Sequence, residues 1–312
     1  MLGLEISKKY YEEYGLPMIH EMFSDVENRI AAGLCGQGSE CFGFDDEVSR
    51  DHDFCAGFCL WLTGEDYEKF GFKLERAYSK LPKEYMGLKR SLISPVGGNR
   101  HGVMVIDEFY RSFLGTKGVS DNLDWWLYVP SHSLACACNG EVFSDPLGIF
   151  SSVRQILLAG YPEDVRRKKL SAHIIMAAQS GQYNYGRCIS HGESGAAQLA
   201  IFEFVKHIIS AVYLLNNKYE PFYKWVYRGM RELPILGDIE PLLTSLSELD
   251  NSKVHYAIKQ EVIEDIASSV IGELQKQNLT DAMCTNLETH AYSVADKIKD
   301  NNLRNMHIME GI

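Results

Sequence analysis

Hydrophobic and polar positions change rhythm partway along the chain. In the first half, short segments of different period follow one another. The spacing predicts a helix over 4–14 and a second over 18–32, then a short apolar stretch into Gly36-Gln37-Gly38-Ser39. Over 51–62 the chain alternates, with Asp51, Asp53 and Cys55 set against His52, Phe54 and Ala56, and Phe58, Leu60 and Leu62 continue apolar, which predicts a strand. Phe70, Leu74 and Ala77 recur at helical spacing, so a helix is predicted over 65–81, stopped by Pro82. After the Gly97-Gly98 turn, Gly102 to Ile106 reads as a strand and Asp107 opens a helix, while 127–129 and 141–143 read as further short strands.

From about Ser151 the period is helical. Val153, Ile156 and Leu157, then Leu170, Ile174 and Ala177, then Leu199, Phe202, Val205 and Ile209 form core stripes, and longer helices are predicted over 254–277 and 281–299. No proline follows Pro241. The pattern predicts an α+β fold: a mixed sheet with flanking helices over 1–150, followed by a C-terminal α-helical bundle over 151–312.

Composition narrows the function classes. The chain has 312 residues, 46% hydrophobic, and its 17 Tyr, 14 Phe and 4 Trp exclude a disordered chain. With 31 Lys and Arg against 42 Asp and Glu, the net charge of −11 opposes a phosphate backbone, so non-specific nucleic-acid binding is not expected. Glu5, Lys8 and Lys9 interrupt any leader-like run, and no later stretch reads as the roughly 20 apolar residues of a bilayer span. A cytoplasmic protein without a membrane partner is expected. The eight cysteines include Cys136-x-Cys138 and the Cys55/Cys59 pair but no paired C-x-x-C units, so they read as reduced, buried thiols.

One segment carries chemistry. Residues 36–54 place Gly38-Ser39 eleven residues before Asp51-His52-Asp53. Carboxylates at i and i+2 of a strand share a face, so Asp51 and Asp53 can converge on a cation. Magnesium, or manganese, takes hard oxygen ligands and completes its shell with phosphate oxygens, which suits a nucleoside triphosphate. Gly38 lets the backbone approach such a ligand, and Ser39 offers an amide and a hydroxyl to its phosphates. An acidic pair alone also fits a solvated strand edge, and His52, facing away, reads as packing.

Gly38-Ser39, the spacer and Asp51-x-Asp53 resemble the signature of the nucleotidyltransferase superfamily, whose relatives include DNA polymerase beta and the aminoglycoside nucleotidyltransferases. A narrower resemblance adds Asp124 to Pro130, Glu141 to Gly148, Tyr161 to Arg167 and Lys218 to Trp225. Together they look like the group catalogued as domain of unknown function 4037, over roughly residues 10–240. The resemblance implies a nucleotidyltransferase-fold sheet, magnesium on Asp51 and Asp53, and transfer of a nucleoside monophosphate from a triphosphate to an unidentified acceptor. It also implies a third carboxylate on a neighbouring strand. Met104 stands where an acid is most natural, so Asp107 is the first substitute and Asp145 the second, with a helix cap and a turn as their structural alternatives. Lys224 could reach the triphosphate or lie along the surface. The run Arg166 to Lys169 reads as a solvated helix face, and Asp45 and Asp46 as loop-ordering or metal-side acids. A chain lacking the third acid would instead be a silent nucleotide-binding regulator or partner-binding protein on the same fold.

Overall fold

The computed structural model describes residues 2–48, 56–89 and 100–312, and the chain divides into two compact units. The first comprises Met1–Asp121 and Val129–Ala159, the second Asn122–Tyr128 and Gly160–Ile312.

In the first unit, α1 (Gly3–Tyr10) continues through a wider π-type turn, Tyr11–Gly15, into α2 (Leu16–Phe23). The second predicted helix therefore ends at Phe23, and residues expected at its C-terminal end begin β1 (Ala31–Leu34). Sheet pairing overrides the helical preference of Ala31 and Ala32: all four β1 residues are buried between two antiparallel neighbours. Gly33 admits that close pairing, since a Cβ there would lie 2.5 Å from the Glu141 carbonyl oxygen.

After α3 (Ser39–Phe42) come β2 (Cys59–Leu62), α4 (Phe72–Lys80), β3 (Gly102–Val105), α5 (Ile106–Leu114), α6 (Ser131–Cys138), β4 (Glu141–Ser144) and α7 (Ile149–Leu158). Among the described residues these strands form a four-stranded mixed sheet in the order β3-β2-β1-β4, with β2 and β3 parallel and the other pairs antiparallel. The fold is thus α+β, and strongly helical. β2 is buried on both faces, which explains its unbroken apolar run. Phe58, Leu60 and Leu62 join a core with Tyr10, Ile19 and Leu74. On the other face Trp61 stacks on Phe150 at 3.9 Å, with Phe109 edge-on. That stack ties α7 to the first unit, so the division falls after Ala159 rather than at 150.

Residues expected as a strand at 127–129 instead end the short helix Leu123–Tyr128, where buried Trp126 and Leu127 follow helical spacing from Leu123. The rest of the second unit is helical: α8 (Glu163–Ala177), α9 (Ser194–Leu215), α10 (Val226–Met230), α11 (Glu240–Glu248), α12 (Lys253–Lys276), α13 (Leu287–Asp296) and α14 (Asn301–Asn305). Contrary to the sequence expectation, α9 is long and apolar enough to cross a membrane, with a mean hydropathy of 1.5. Its most apolar window is 67% buried inside the unit, and it packs against α8, α11 and α12 as the core helix. The run 166–169 also departs from a solvated face: Lys168 and Lys169 are 1% and 8% exposed.

Candidate functional site

The chain leaves β1 through Cys35 into a turn whose shape depends on two glycines. Gly36 and Gly38 have φ of +117° and +130°, values that L side chains rarely adopt. Asn139, two residues before β4, pins the turn: its Oδ1 accepts from the Gly36 amide at 2.8 Å, and its Nδ2 donates to the Gly36 carbonyl at 2.7 Å. The next residue, Gly140, donates its amide to the Cys41 carbonyl at 2.8 Å, and a Cβ there would stand 1.9 Å from the Leu34 oxygen. Arg154 in turn donates to the Gly140 carbonyl at 2.8 Å.

Arg100 closes the other side. Because β1 runs antiparallel to β2, and β2 parallel to β3, the end of β1 lies beside the residues that precede β3. Arg100 Nη2 donates to the Gln37 carbonyl and to Glu40 Oε1, each at 2.7 Å. Both ends of the ion pair are largely buried, at 15% and 9% side-chain exposure. A Cβ on Gly38 would meet that guanidinium at 1.8 Å, so glycine here is a packing requirement as well as a conformational one.

Between this turn and α5 opens a cleft of about 570 Å³, walled by Gly36, Gln37 and Arg100 on one side and by Met104, Glu108 and Phe109 on the other. Gly38 and Ser39 follow directly at the start of α3. Asp51 and Asp53, the expected metal ligands, lie outside the described residues, and so does any geometry between them and the third acid. Among the described residues no group of three or more His, Cys, Asp and Glu is arranged to hold a metal ion.

Asp107 does not line the cleft. It sits in the first turn of α5, where a helical step of about 100° per residue, not strand alternation, sets its direction. There it pairs with Lys117 at 3.0 Å, and Val105 holds the cap position. Glu108, one residue on, faces the cleft with Phe109 and Ser112 and pairs with Arg111. Met104 lines the wall where the superfamily pattern asks for an acid. Asp145 accepts from the amides of Gly148 at 3.1 Å and Ser151 at 2.7 Å, which makes it a turn and helix-start residue. Asp45 holds the Gly3 amide at 2.8 Å and Asp46 the Val48 amide at 3.0 Å, so both order local chain. Lys224 is exposed in the second unit, its ammonium group 4.5 Å from the centre of the Trp225 ring.

The thiols near the cleft are buried. Burial pushes Cys35 up to about 12 and raises Cys41 and Cys59 as well, so all three stay protonated near neutrality. Sequence reasoning missed Asn139 and Arg100. The Asn139-Gly140 dipeptide is a turn signal, but its partner, Gly36, is 103 residues away. Glu108 was legible only as the neighbour of Asp107 on a helix whose first residue the sequence places one position late.

Residues 126–226 match the family model described as a domain of unknown function, DUF4037. The resemblance read from the sequence is met there, over a segment that includes most of the motifs quoted for it. Among solved structures, a nucleotidyltransferase-like protein from Exiguobacterium sibiricum 255-15 is similar at 13% sequence identity and a TM-score of 0.35, covering 90% of this chain and 89% of that one. No curated protein matches the chain.

Proposed function

We propose that the cleft beside the Gly36–Ser39 turn binds a nucleoside triphosphate, and that the chain transfers its nucleotidyl group to an acceptor in the cytoplasm. The observation that carries this reading is the turn itself: two positive-φ glycines, held by Asn139 and Arg100, on the wall of a cleft of about 570 Å³, within the range that takes a nucleotide-sized ligand. Gly38 and Ser39 would present backbone and hydroxyl to the phosphates, with Arg100 adding positive charge. Asp51 and Asp53 would hold magnesium, which when bound neutralises phosphate charge and polarises the reacting phosphoryl group.

Met104 in the cleft wall and Asp107 on Lys117 favour a second reading, a silent nucleotide binder. Glu108 is the carboxylate that separates the two. In the enzyme it would stand in for the third acid and accept the acceptor's proton. Labelled triphosphates, incubated with magnesium and cell extract, test this. Label transfer by the wild type, lost in Asp53→Asn and reduced at least about tenfold in Glu108→Gln with nucleotide affinity retained, is the expected result. Binding without transfer for every triphosphate would establish the silent binder, and no binding of any triphosphate would reject both readings.

A further inference from the structure

The polar turn supplies only part of the lining of the first unit's cleft. Beyond Gly36, Gln37 and Arg100 the walls are largely apolar: Val103, Met104 and Val105 come from β3, and Phe109 and Phe113 from one face of α5, four residues apart. A triphosphate has nothing to set against that surface. The part of a nucleotide that does is the base, a flat π-system without formal charge.

The aromatic residues of the cleft differ in what their neighbours leave open. Phe109 is 5% exposed and belongs to the core, with its ring centre 5.5 Å from Trp61 and 5.2 Å from Phe150. Tyr67 packs on the core that holds Tyr10 and Leu74, and its hydroxyl donates to Glu75 at 2.5 Å. Phe113 is half-buried and meets the Phe109 ring edge-on at 5.2 Å, so a core residue buttresses it while part of its ring still lines the cleft.

Phe113 also stands beside the turn. A Cβ on Gly36 would lie 3.4 Å from Phe113 Cζ. From Gly36 to Ser39 the chain advances three residues, at most about 10 Å. A ligand that runs over that distance from an aromatic ring to a phosphate-approaching backbone has the outline of a base joined through its sugar to phosphates.

We propose that the apolar end of this cleft is a nucleobase platform selective for purines, with Phe113 as the stacking residue, an inference that rests on the nucleotide reading of the turn. Stacking on an aromatic ring is open to any base, and its strength grows with the area covered, so the fused rings of a purine gain more than the single ring of a pyrimidine. Met104 and Val105 add apolar contact around the stack. Phe113 touches no reacting atom. It holds the base so that the triphosphate lies along residues 36–39.

Equilibrium binding to the full chain with magnesium tests this, using inorganic tripolyphosphate and the α,β-methylene analogues of ATP, GTP, CTP and UTP, which cannot give up the nucleotidyl group. The tighter purine analogue is expected to bind at least about tenfold more tightly than tripolyphosphate and at least about threefold more tightly than either pyrimidine analogue. Phe113→Leu keeps apolar bulk without the ring. It should weaken the purine analogue about fivefold and leave tripolyphosphate unchanged, while Phe113→Tyr should keep wild-type affinity. Tripolyphosphate bound as tightly as the tighter purine overturns the platform and leaves the triphosphate site standing. So does a pyrimidine analogue that matches that purine, or undiminished purine affinity in Phe113→Leu. No binding of any of these ligands overturns the nucleotide reading, and the platform with it. If Phe113→Leu does not fold, the wild-type comparison of purine, pyrimidine and tripolyphosphate decides.

Discussion

In the first unit, Arg100 meets Glu40 and Arg29 meets Asp66, each at 2.7 Å, and both carboxylates lie in the interior. In the second, Lys168, Lys169 and Lys259 are buried on neutral oxygens. Lys168 donates to the carbonyls of Met306 and His307, Lys169 to those of Leu127 and Gly311, and Lys259 to the side-chain oxygens of Gln198 and Asn251. An ion pair fixes one short stretch of chain against another, which suits a turn that must keep its shape beside a cleft. An ammonium group, with three donors, gathers carbonyls from separate stretches, and here it straps the C-terminal residues and the helix Leu123–Tyr128 to α8. The cost is desolvation, which the charges of Glu310, Glu220 and Asp250 oppose without reversing: burial pushes Lys169 down to about 8 and lowers Lys168 and Lys259.

The largest effect is expected from breaking the ion pair. Glu40→Gln takes the buried Glu40 carboxylate from the Arg100 guanidinium and should cost about 3 kcal/mol in urea unfolding. The double variant Glu40→Gln/Arg100→Met removes both ends of the pair, so its loss should be smaller than the sum of the single losses. Additive losses would show that the two side chains act independently, and the contrast between the units would then have no basis in charge pairing.

A smaller effect follows from removing a lysine that sits on carbonyls. Lys168→Met or Lys169→Met forfeits two hydrogen bonds but also relieves a buried charge, giving a net loss of about 1–2 kcal/mol. Its signature is local: faster proteolysis within 306–311, with amide exchange in β1 and β2 unchanged. A loss as large as that of Glu40→Gln would mean that the lysines hold the helical core itself rather than the chain end.

The same contrast explains what could be read in advance. Hydrophobic period located several helices of the second half because α8, α9 and α12 bury stripes that their own sequence spells out. It failed where long-range partners decide. Ala31 and Ala32 read as the end of a helix until neighbouring strands pair with them. The run Arg166 to Lys169 reads as solvated until the last residues of the chain arrive, 138–142 positions later, to accept its protons. In the candidate site, the turn at Gly38 was legible because a glycine there supplies the positive φ that the turn needs. Asn139 and Arg100, which hold that turn, carry no local mark of the role, and Asp107 was named because the resemblance implied an acid near Met104, on a strand read one residue too long.

The smallest expected effect concerns a third kind of buried polar contact, between two bases. His173 Nδ1 and His207 Nδ1 lie 2.9 Å apart across α8 and α9, and one must donate while the other accepts. Burial lowers both imidazoles below their ordinary value of 6.5, helped for His173 by His207, Lys169 and Lys206 and for His207 by Lys206. Glu203, 3.2 Å from His207 Nε2, opposes this for His207 without reversing it. The sign then follows. Above about pH 6.5 both rings are neutral folded or unfolded, and the pair contributes its full stability. As pH falls below that value, the unfolded chain takes up protons that the folded pair refuses, so stability declines toward the depressed folded values. Between about pH 6.5 and 5.5 the decline should approach 1 kcal/mol for each ring that stays neutral, a window above most carboxylate titration. Urea unfolding of the wild type and of His173→Gln/His207→Gln across this window isolates the pair, because the carboxylates common to both cancel in the difference. The wild type should lose stability relative to the variant as pH falls. Parallel profiles would mean that the two rings bind protons as readily when folded as when unfolded.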